Sequence, residues 1–255
     1  MWVWHTTLID SGGASVIEFA KTHELNTIYL QASTTIPTAT YETFIGAASA
    51  QGIRVVATSG APAWALAVNL SQLTGFVNWA SAYNSSAPFQ DRFRSINLDI
   101  EGYLVPSWAT DQASVTSQWM SNIQTAMTDG AAHGLPVSVD IPFWLDSVPA
   151  PGANEPLGRW LAQHSSQLVI MAYRNSVTGV LTVASAELAD AATVGRPAVL
   201  AIDTTDSGPT TSFYGSTQLV VGQVLQQISA ALSTGSGFEG WAVNDYEAWS
   251  VMPPG

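Results

Sequence analysis

Residues 95–103 read SINLDIEGY, an apolar run that carries two carboxylates. Side chains alternate between the two faces of a strand, so the isoleucines and the leucine of this run face one side, and Asn97, Asp99 and Glu101 face the other. Burying a carboxylate is costly, and charged residues make up only 10% of this chain. The stretch therefore predicts a barrel strand with an apolar outer face against helices and a polar inner face.

Seven further short runs, rich in apolar and β-branched residues, resemble 95–103 and recur along the chain. They occupy residues 1–5, 27–33, 53–59, 136–141, 168–173, 198–203 and 240–245. Between the runs, apolar residues recur at helical spacing, as at Trp119, Ile123 and Met127. Eight strand–helix units in 255 residues predict one domain, 1–255, folded as a (β/α)8 TIM barrel. A doubly wound open sheet is the alternative, but no glycine-rich phosphate turn follows any predicted strand.

Turn-forming residues mark several boundaries between these units. Asn-Glu-Pro at 154–156 predicts the start of a helix, and His-Gly-Leu-Pro at 133–136 predicts the end of a helix before a strand. The run Ser-Thr-Gly-Ser-Gly at 233–237 predicts a turn, because it lacks the lysine of a phosphate-binding loop.

Composition excludes several classes of function. Seven basic residues against nineteen acidic ones give a net charge of -12, which argues against a nucleic-acid partner. The single lysine, Lys21, leaves little room for Schiff-base chemistry, and the lack of cysteine excludes thiolate nucleophiles and cysteine-bound metals. No apolar run reaches the roughly 20 residues of a membrane-spanning helix. We expect a monomer that needs no cofactor and does not span a membrane.

The lysine-poor sequence is rich in Ser, Thr, Ala, Gln and Asn. This composition favours a secreted, extracellular protein whose signal peptide is not part of the sequence. A cytoplasmic location is the alternative.

Polar and aromatic residues gather at the carboxyl ends of the predicted strands, where TIM barrels carry their chemistry. Besides those of 95–103, the candidate site residues are His5, Gln31, Asp140, Trp144, Tyr173, Arg174, Asp203, Asn244, Asp245 and Tyr246. The amino ends are blander, which predicts an active site on one side of the barrel. For His5, Asp140 and Asp203, a structural hydrogen bond is the alternative interpretation.

Asp99 and Glu101 are the strongest catalytic candidates. Two positions along a strand are about 6.6 Å apart, so their carboxyl groups come close together if Asp99 leans towards the strand end. Neighbouring carboxylates in a poorly solvated place resist joint ionisation, and one of them keeps a proton near neutral pH. A protonated carboxyl group at a barrel mouth is a general acid. The alternative is a structural pair that binds backbone amides or an arginine.

A second carboxylate mechanism also fits the predicted strand ends. A retaining glycosidase needs a nucleophile about 5 to 5.5 Å from its acid, and Asp140 or Asp203 could supply it. Tryptophan and tyrosine near strand ends, such as Trp144, suit a glycan because aromatic faces stack on sugar rings. The sequence therefore favours a glycosidase that degrades a polysaccharide. It leaves open whether Asp140 or Asp203 would be the nucleophile.

Two short motifs resemble those of the family 18 glycoside hydrolases, the chitinase-like barrels. The run LDIE at 98–101 resembles the end of the family signature Asp-x-x-Asp-x-Asp-x-Glu, and MAY at 171–173 resembles its Met-x-Tyr motif. Trp241 lies on the eighth predicted strand, where the family usually has a tryptophan at the floor of the sugar site. The signature is incomplete, since Arg94 and Asn97 replace its first two aspartates and Arg174 follows Met-x-Tyr where many relatives have Asp.

The resemblance implies roles for three residues. Glu101 would protonate the glycosidic oxygen, Asp99 would orient an acetamido group of the substrate, and Tyr173 would bond the carbonyl of that group. The substrate would then act as its own nucleophile, an exception to the scheme with two enzyme carboxylates.

Two rival functions remain open. One is a carbohydrate-binding barrel without activity, since chitinase-like lectins share the fold; the presence of Glu101 argues against it, because those binders typically lack the acid. The other is a metal-dependent hydrolase or lyase of a small acidic substrate, with His5, Asp99, Glu101 and Asp245 around the ion. No His-x-His or His-x-Glu pair supports this second rival.

Overall fold

The computed structural model, which describes residues 1–232 and 237–255, is a (β/α)8 TIM barrel, so the fold prediction is confirmed. In the described residues, eight parallel strands pair in chain order around one sheet. In order, they are Trp2–Val3, Thr27–Gln31, Arg54–Ser59, Ile96–Leu98, Val137–Pro142, Leu168–Met171, Ala198–Asp203 and Phe238–Asn244. Residues 233–236 of the predicted turn lie outside the described part of the chain.

Helices alternate with the strands and cover the outside of the barrel. They are α1 (Ala14–Thr22), α2 (Thr38–Ser49), α3 (Leu70–Ser86), α4 (Gln112–Ala132), α5 (Leu157–His164), α6 (Val177–Thr193), α7 (Gln218–Ala231) and α8 (Tyr246–Ser250). A short antiparallel ribbon, Pro149–Ala150 with Glu155–Pro156, lies in the loop before α5. In the described residues, no helix combines the length and the apolar character needed to cross a membrane.

The predicted helix boundaries agree with the structure. The Asp111 side chain accepts a hydrogen bond from the Ser114 amide and caps α4, which satisfies a free N–H group of the first turn. The helix ends before His133, and Gly134 adopts a positive φ of 67° that leads the chain into the fifth strand. At the other predicted boundary, α5 begins directly after Pro156.

The fourth strand has the two faces that its sequence predicts. Ile96, Leu98 and Ile100 are buried in the core between strands and helices, and Asn97 points into the barrel. The strand ends at Leu98, three residues earlier than predicted, because the chain then turns into a short 3-10 helix at Gly102–Leu104.

The third strand passes very close to the end of the fourth. A Cβ atom on Gly60 would lie 1.8 Å from the carbonyl oxygen of Asp99. The Asp99 amide still donates to the carbonyl of Ser59 at 3.1 Å. Glycine at position 60 therefore permits the close approach that holds the Asp99 backbone against the barrel wall.

Side chains close the seam between the first and eighth strands. Oε1 of Glu247 accepts hydrogen bonds from the amides of Trp4 and His5 at 3.0 and 2.8 Å. The Trp4 indole donates to Oδ1 of Asn244 at 2.7 Å. Because these amides bind a carboxylate instead of a neighbouring strand, the first strand is shorter than the predicted 1–5.

We expect Glu247→Ala to lower the free energy of unfolding by about 2 to 4 kcal/mol, because two amide hydrogen bonds to a charged acceptor are lost at the seam. Urea denaturation monitored by tryptophan fluorescence measures the change. The matched variant Glu247→Gln keeps a carbonyl acceptor and should lose less. An unchanged urea midpoint for Glu247→Ala would contradict the role of this side chain in closing the barrel.

A second, smaller core fills the interior of the barrel. Trp2, Tyr29, Val56, Val169 and Val199 are buried there, and the Trp2 and Tyr29 rings stack with their centroids 4.9 Å apart. This inner layer separates the mouth, at the carboxyl ends of the strands, from a cavity at their amino ends.

Candidate active site

The fourth and fifth strands place two acids side by side inside the barrel. Leu98 pairs with Val139, so the residues that follow, Asp99 and Asp140, lie next to each other. The Asn97 amide donates to both carboxylate oxygens of Asp140, at 3.0 and 2.9 Å. Asn97, which is fully buried, itself accepts from the Ser138 hydroxyl at 2.7 Å. Asp140 is thus held rigidly beside Asp99.

These two buried acids retain protons at unusually high pH. Burial, with a smaller contribution from the charge of Glu101, raises the pKa of Asp99 to about 7. Burial and then the charge of Asp99 raise the pKa of Asp140 well above its usual range. Among the described residues, nothing hydrogen-bonds the buried Oδ1 of Asp99. The site therefore stores at least one proton near neutral pH, on a pair of acids from two strands, whereas the sequence predicted the pair Asp99 and Glu101.

Glu101 lies one step closer to the mouth than Asp99. The Tyr103 hydroxyl donates a hydrogen bond to the Glu101 carboxylate, and the Tyr103 ring meets Trp144 edge-on at 5.0 Å between centroids. Both rings border a mouth cavity of about 310 Å³. Its other lining residues are Glu101, Pro142, Phe143, Met171, Tyr173, Arg174, Ser207 and Thr211. A carboxylate beside an aromatic-walled opening can exchange protons with a bound ligand.

Tyr173 presents a hydroxyl group to the same cavity. Burial, and the nearby charges of Asp99 and Asp203 among others, raise its pKa far above the usual value, so the phenol stays protonated. In the described part of the chain its hydroxyl makes no hydrogen bond. The group is therefore available as a donor to a ligand.

Arg174 and Trp144, both predicted site residues, also reach the mouth. The Arg174 guanidinium lies over the Phe143 ring, 4.6 Å from its centroid, and donates to the carbonyl of Tyr173 at 2.7 Å. It shapes the rim of the cavity and supports the Tyr173 backbone.

Asp203 is buried and fully engaged in hydrogen bonds. Its carboxylate accepts from the amide of Thr205 at 3.1 Å, from the hydroxyls of Thr205 and Ser207, and from the Asn244 amide at 3.0 Å. These contacts hold the loop after the seventh strand. The arrangement is that of a structural carboxylate, and it leaves Asp203 poorly placed as a nucleophile.

His5 and Asn244 lie at the seam, not with the carboxylates of the mouth. The exposed His5 ring contacts Glu247, with Nδ1 2.9 Å from Oε1. Asn244 bridges the Trp4 indole and Asp203. Sequence reasoning missed Glu247 because no motif marks it, and its role depends on a strand at the far end of the chain.

Four other candidates do not line the mouth cavity. Asp245 caps α8 by accepting from the Ala248 amide at 2.8 Å, and its pKa is raised, mainly by burial. Tyr246 is buried in the outer core. Gln31, at the end of the second strand, does not line the mouth cavity. Trp241 packs against the outer core and lines the cavity at the amino ends, so it does not form a floor for the mouth.

The arrangement does not assemble the metal site that was one alternative. His5 and Asp245 are held elsewhere by Glu247 and by α8. Within residues 1–232 and 237–255, no group of three or more His, Cys, Asp or Glu side chains is placed to hold a metal ion. Tyr103, to which the sequence assigned no role, is instead the group that contacts Glu101.

No family model matches the chain, and no curated protein sequence matches it. Solved structures do resemble it in fold. A chitinase from Cycas revoluta in complex with (GlcNAc)3 superposes with a TM-score of 0.53 at 13% identity, over 95% of this chain and 93% of that one. The C-terminal domain of a chitinase-like protein from Desulfitobacterium hafniense gives 0.53 at 10% identity, over 80% and 65%.

A chitinase from Chromobacterium violaceum gives a TM-score of 0.50 at 14% identity. The alignment covers 76% of this chain and 65% of the Chromobacterium chain. At such low identity, these similarities establish a shared barrel fold.

Proposed function

We propose that this protein is a glycoside hydrolase that cleaves glycans containing an N-acetylhexosamine, with Glu101 as general acid and base. One observation carries the proposal: Glu101 borders an aromatic-walled mouth directly above Asp99 and Asp140, two buried acids with raised pKa values. Perturbed carboxyl groups in a cleft are typical of acid catalysis. The fold shared with chitinases supports the same assignment.

In the first step, Glu101 gives a proton to the glycosidic oxygen while the bond from that oxygen to the anomeric carbon breaks. The carbonyl oxygen of the substrate's own acetamido group attacks the anomeric carbon and forms a cyclic intermediate. Asp99 accepts a hydrogen bond from the acetamido N–H, and the Tyr173 hydroxyl donates one to the acetamido oxygen. Asp99 lies two positions below Glu101, so the proton stored there can reload the acid.

In the second step, the Glu101 carboxylate takes a proton from a water molecule as the water attacks the anomeric carbon. The cyclic intermediate opens, the acetamido group is restored, and Glu101 is again protonated. The anomeric configuration is retained after two inversions. Asn97 holds Asp140 beside Asp99, so the buried acid next to the proton store stays in place through both steps.

The aromatic wall supports a carbohydrate substrate. Tyr103 and Trp144 expose edges and faces at the mouth, and such rings stack on sugar rings while their polar atoms bind hydroxyl groups. We further propose that the protein acts as a secreted monomer on an extracellular or cell-wall polysaccharide. Carbohydrate binding without cleavage is the second candidate function, because the same wall would serve it.

A mass-spectrometric glycan panel tests the proposal. Oligomers of N-acetylglucosamine and their de-acetylated counterparts are matched substrates that differ only in the acetamido group. We expect cleavage of the acetylated series alone, unaffected by a metal chelator. Cleavage of sugars without that group would contradict the substrate-assisted step and transfer the nucleophile to Asp140, and binding without cleavage would favour the second candidate. Inhibition by the chelator would support a metal-dependent hydrolase.

A further inference from the structure

A second cavity lies at the opposite end of the barrel from the mouth. It has a volume of about 580 Å³ and opens at the amino ends of the strands. Glycine at position 240 keeps part of this space open, because a Cβ atom there would meet no other atom within 4 Å. Barrel interiors are normally filled by layers of side chains, so an opening of this size needs an explanation.

Positive charge lines one wall of this cavity, which we call the basal cavity. Arg54 begins the third strand, and Arg94 lies two residues before the fourth strand. Neither guanidinium makes an ion pair with a carboxylate in the described part of the chain. The Arg94 guanidinium lies over the Phe89 ring, 4.9 Å from its centroid. In a chain with seven basic residues and a net charge of -12, two such arginines at one cavity are conspicuous.

Negative charge lines the opposite wall. Glu239 belongs to the eighth strand, and in a ring of eight strands the fourth and the eighth lie across the barrel from each other. Gln167 donates a hydrogen bond to the Glu239 carboxylate. Glu24, a second acid of the lining, lies in the turn between α1 and the second strand, on the side of the third strand. The lining of the basal cavity therefore carries both signs of charge, with Arg54 and Arg94 from the third and fourth strands and Glu239 from the eighth.

Polar groups that can donate or accept hydrogen bonds lie between the two walls. The Tyr29 hydroxyl lies 3.5 Å from Oε1 of Gln167 and responds to the charges of both Arg54 and Glu239. Ser138 also lines the cavity from the fifth strand, with its hydroxyl bonded to Asn97. A ligand that spans the cavity would meet these groups along its length.

We propose that the basal cavity binds a short peptide with free ends, its carboxylate at Arg54 and Arg94 and its ammonium group at Glu239. Eight tilted strands about 4.8 Å apart close into a barrel about 15 Å across. An extended peptide of two or three residues spans about 7 to 11 Å, which fits between long charged side chains on opposite walls. The guanidinium fork matches the carboxylate of such a peptide, and the backbone groups of the peptide can bind the Tyr29 hydroxyl.

Isothermal titration calorimetry with triglycine tests this inference on the full chain. We expect saturable binding to the wild type and no binding of N-acetyltriglycine amide, which has the same backbone and no charged end. Arg54→Gln and Glu239→Gln should each weaken triglycine binding about tenfold or more, because each removes a charge-assisted contact. Lys21→Gln, a matched charge change on α1 outside the cavity, should leave the affinity unchanged.

Gly240→Leu is a second, independent variant, because it fills the cavity without altering its charges. We expect it to abolish binding while thermal melting shows a folded protein. The inference is overturned if triglycine gives no saturable heat at millimolar concentration, or if the blocked peptide binds equally well. It is also overturned if Glu239→Gln binds triglycine as tightly as the wild type does. The ammonium group would then make no contact that matters, and the cavity would be a site for simple anions.

Discussion

Glu101→Gln is expected to fold like the wild type and to lose cleavage by a factor of about 10² to 10⁴, the usual contribution of a general acid and base. Glutamine preserves the shape of the side chain and can still accept a hydrogen bond from Tyr103. It cannot release a proton to the glycosidic oxygen, so kcat falls while substrate binding persists. The rate of product formation from N-acetylglucosamine oligomers measures the loss.

The control for this prediction is Glu18→Gln. Glu18 is an exposed acid on α1 that contacts Lys21, far from the mouth in the architecture of the barrel. The same change of charge there should leave kcat unaltered. A Glu101→Gln variant that retains more than about a tenth of the wild-type rate would contradict the assigned role, given the size of general acid catalysis.

The second large effect is a fall in stability as the pH rises. Three buried acids have raised pKa values: Asp99 at about 7, Asp140 well above its usual range, and Glu187 at about 8. Glu187 lies buried on α6, where burial is the main cause of its shift. Its Oε1 accepts from the Asp146 amide at 2.7 Å, and its buried Oε2 has no partner among the described residues.

The sign of the pH effect follows from proton binding. Unfolded, these carboxyl groups have ordinary values of 3.8 and 4.5, so between about pH 4 and pH 8 the folded state binds more protons than the unfolded state. The free energy of unfolding must then fall as the pH rises through this window. At about 1.4 kcal/mol per pKa unit, the loss is on the order of 3 kcal/mol or more for Asp99 and for Glu187, and Asp140 acts in the same direction.

Urea denaturation at about pH 5 and about pH 8 measures this loss. Glu187→Gln cannot ionise and keeps a carbonyl for the Asp146 amide, so its stability should depend less steeply on pH than that of the wild type. Glu18→Gln again serves as the exposed control and should follow the wild type. A Glu187→Gln variant with the wild-type pH dependence would refute the contribution of this buried acid.

The number and direction of the barrel strands could be predicted because they depend on local patterns. Each strand was marked by an apolar run and by alternation, as in residues 96–101, and each predicted helix boundary depended on turn residues next to it. Four strands end two or three residues before the predicted position, the first, second, fourth and sixth, and two of these early ends have non-local reasons. Glu247 captures the amides after Val3, and the close approach at Gly60 accompanies the early end of the fourth strand.

The candidate site was predictable in part. Side-chain alternation placed Asp99 and Glu101 on one face of a strand, whereas in the structure both follow the end of the fourth strand, with Glu101 at the mouth cavity. Asn244, Asp245 and Tyr246 also follow a strand end, yet they close the seam, cap α8 and fill the outer core. Position at a strand end does not distinguish these uses, because each depends on which side chain lies opposite.

The sequence by itself determined the barrel and the pair of acids, since a period of two in one strand decides which side chains share a face. Only the tertiary structure decided which acids meet across strands. Asn97 holds Asp140 from 43 residues away, and Trp4 reaches Asn244 across 240 residues. Such contacts depend on strand register and barrel closure, which arise from the packing of the whole chain and leave no signal in any short stretch of it.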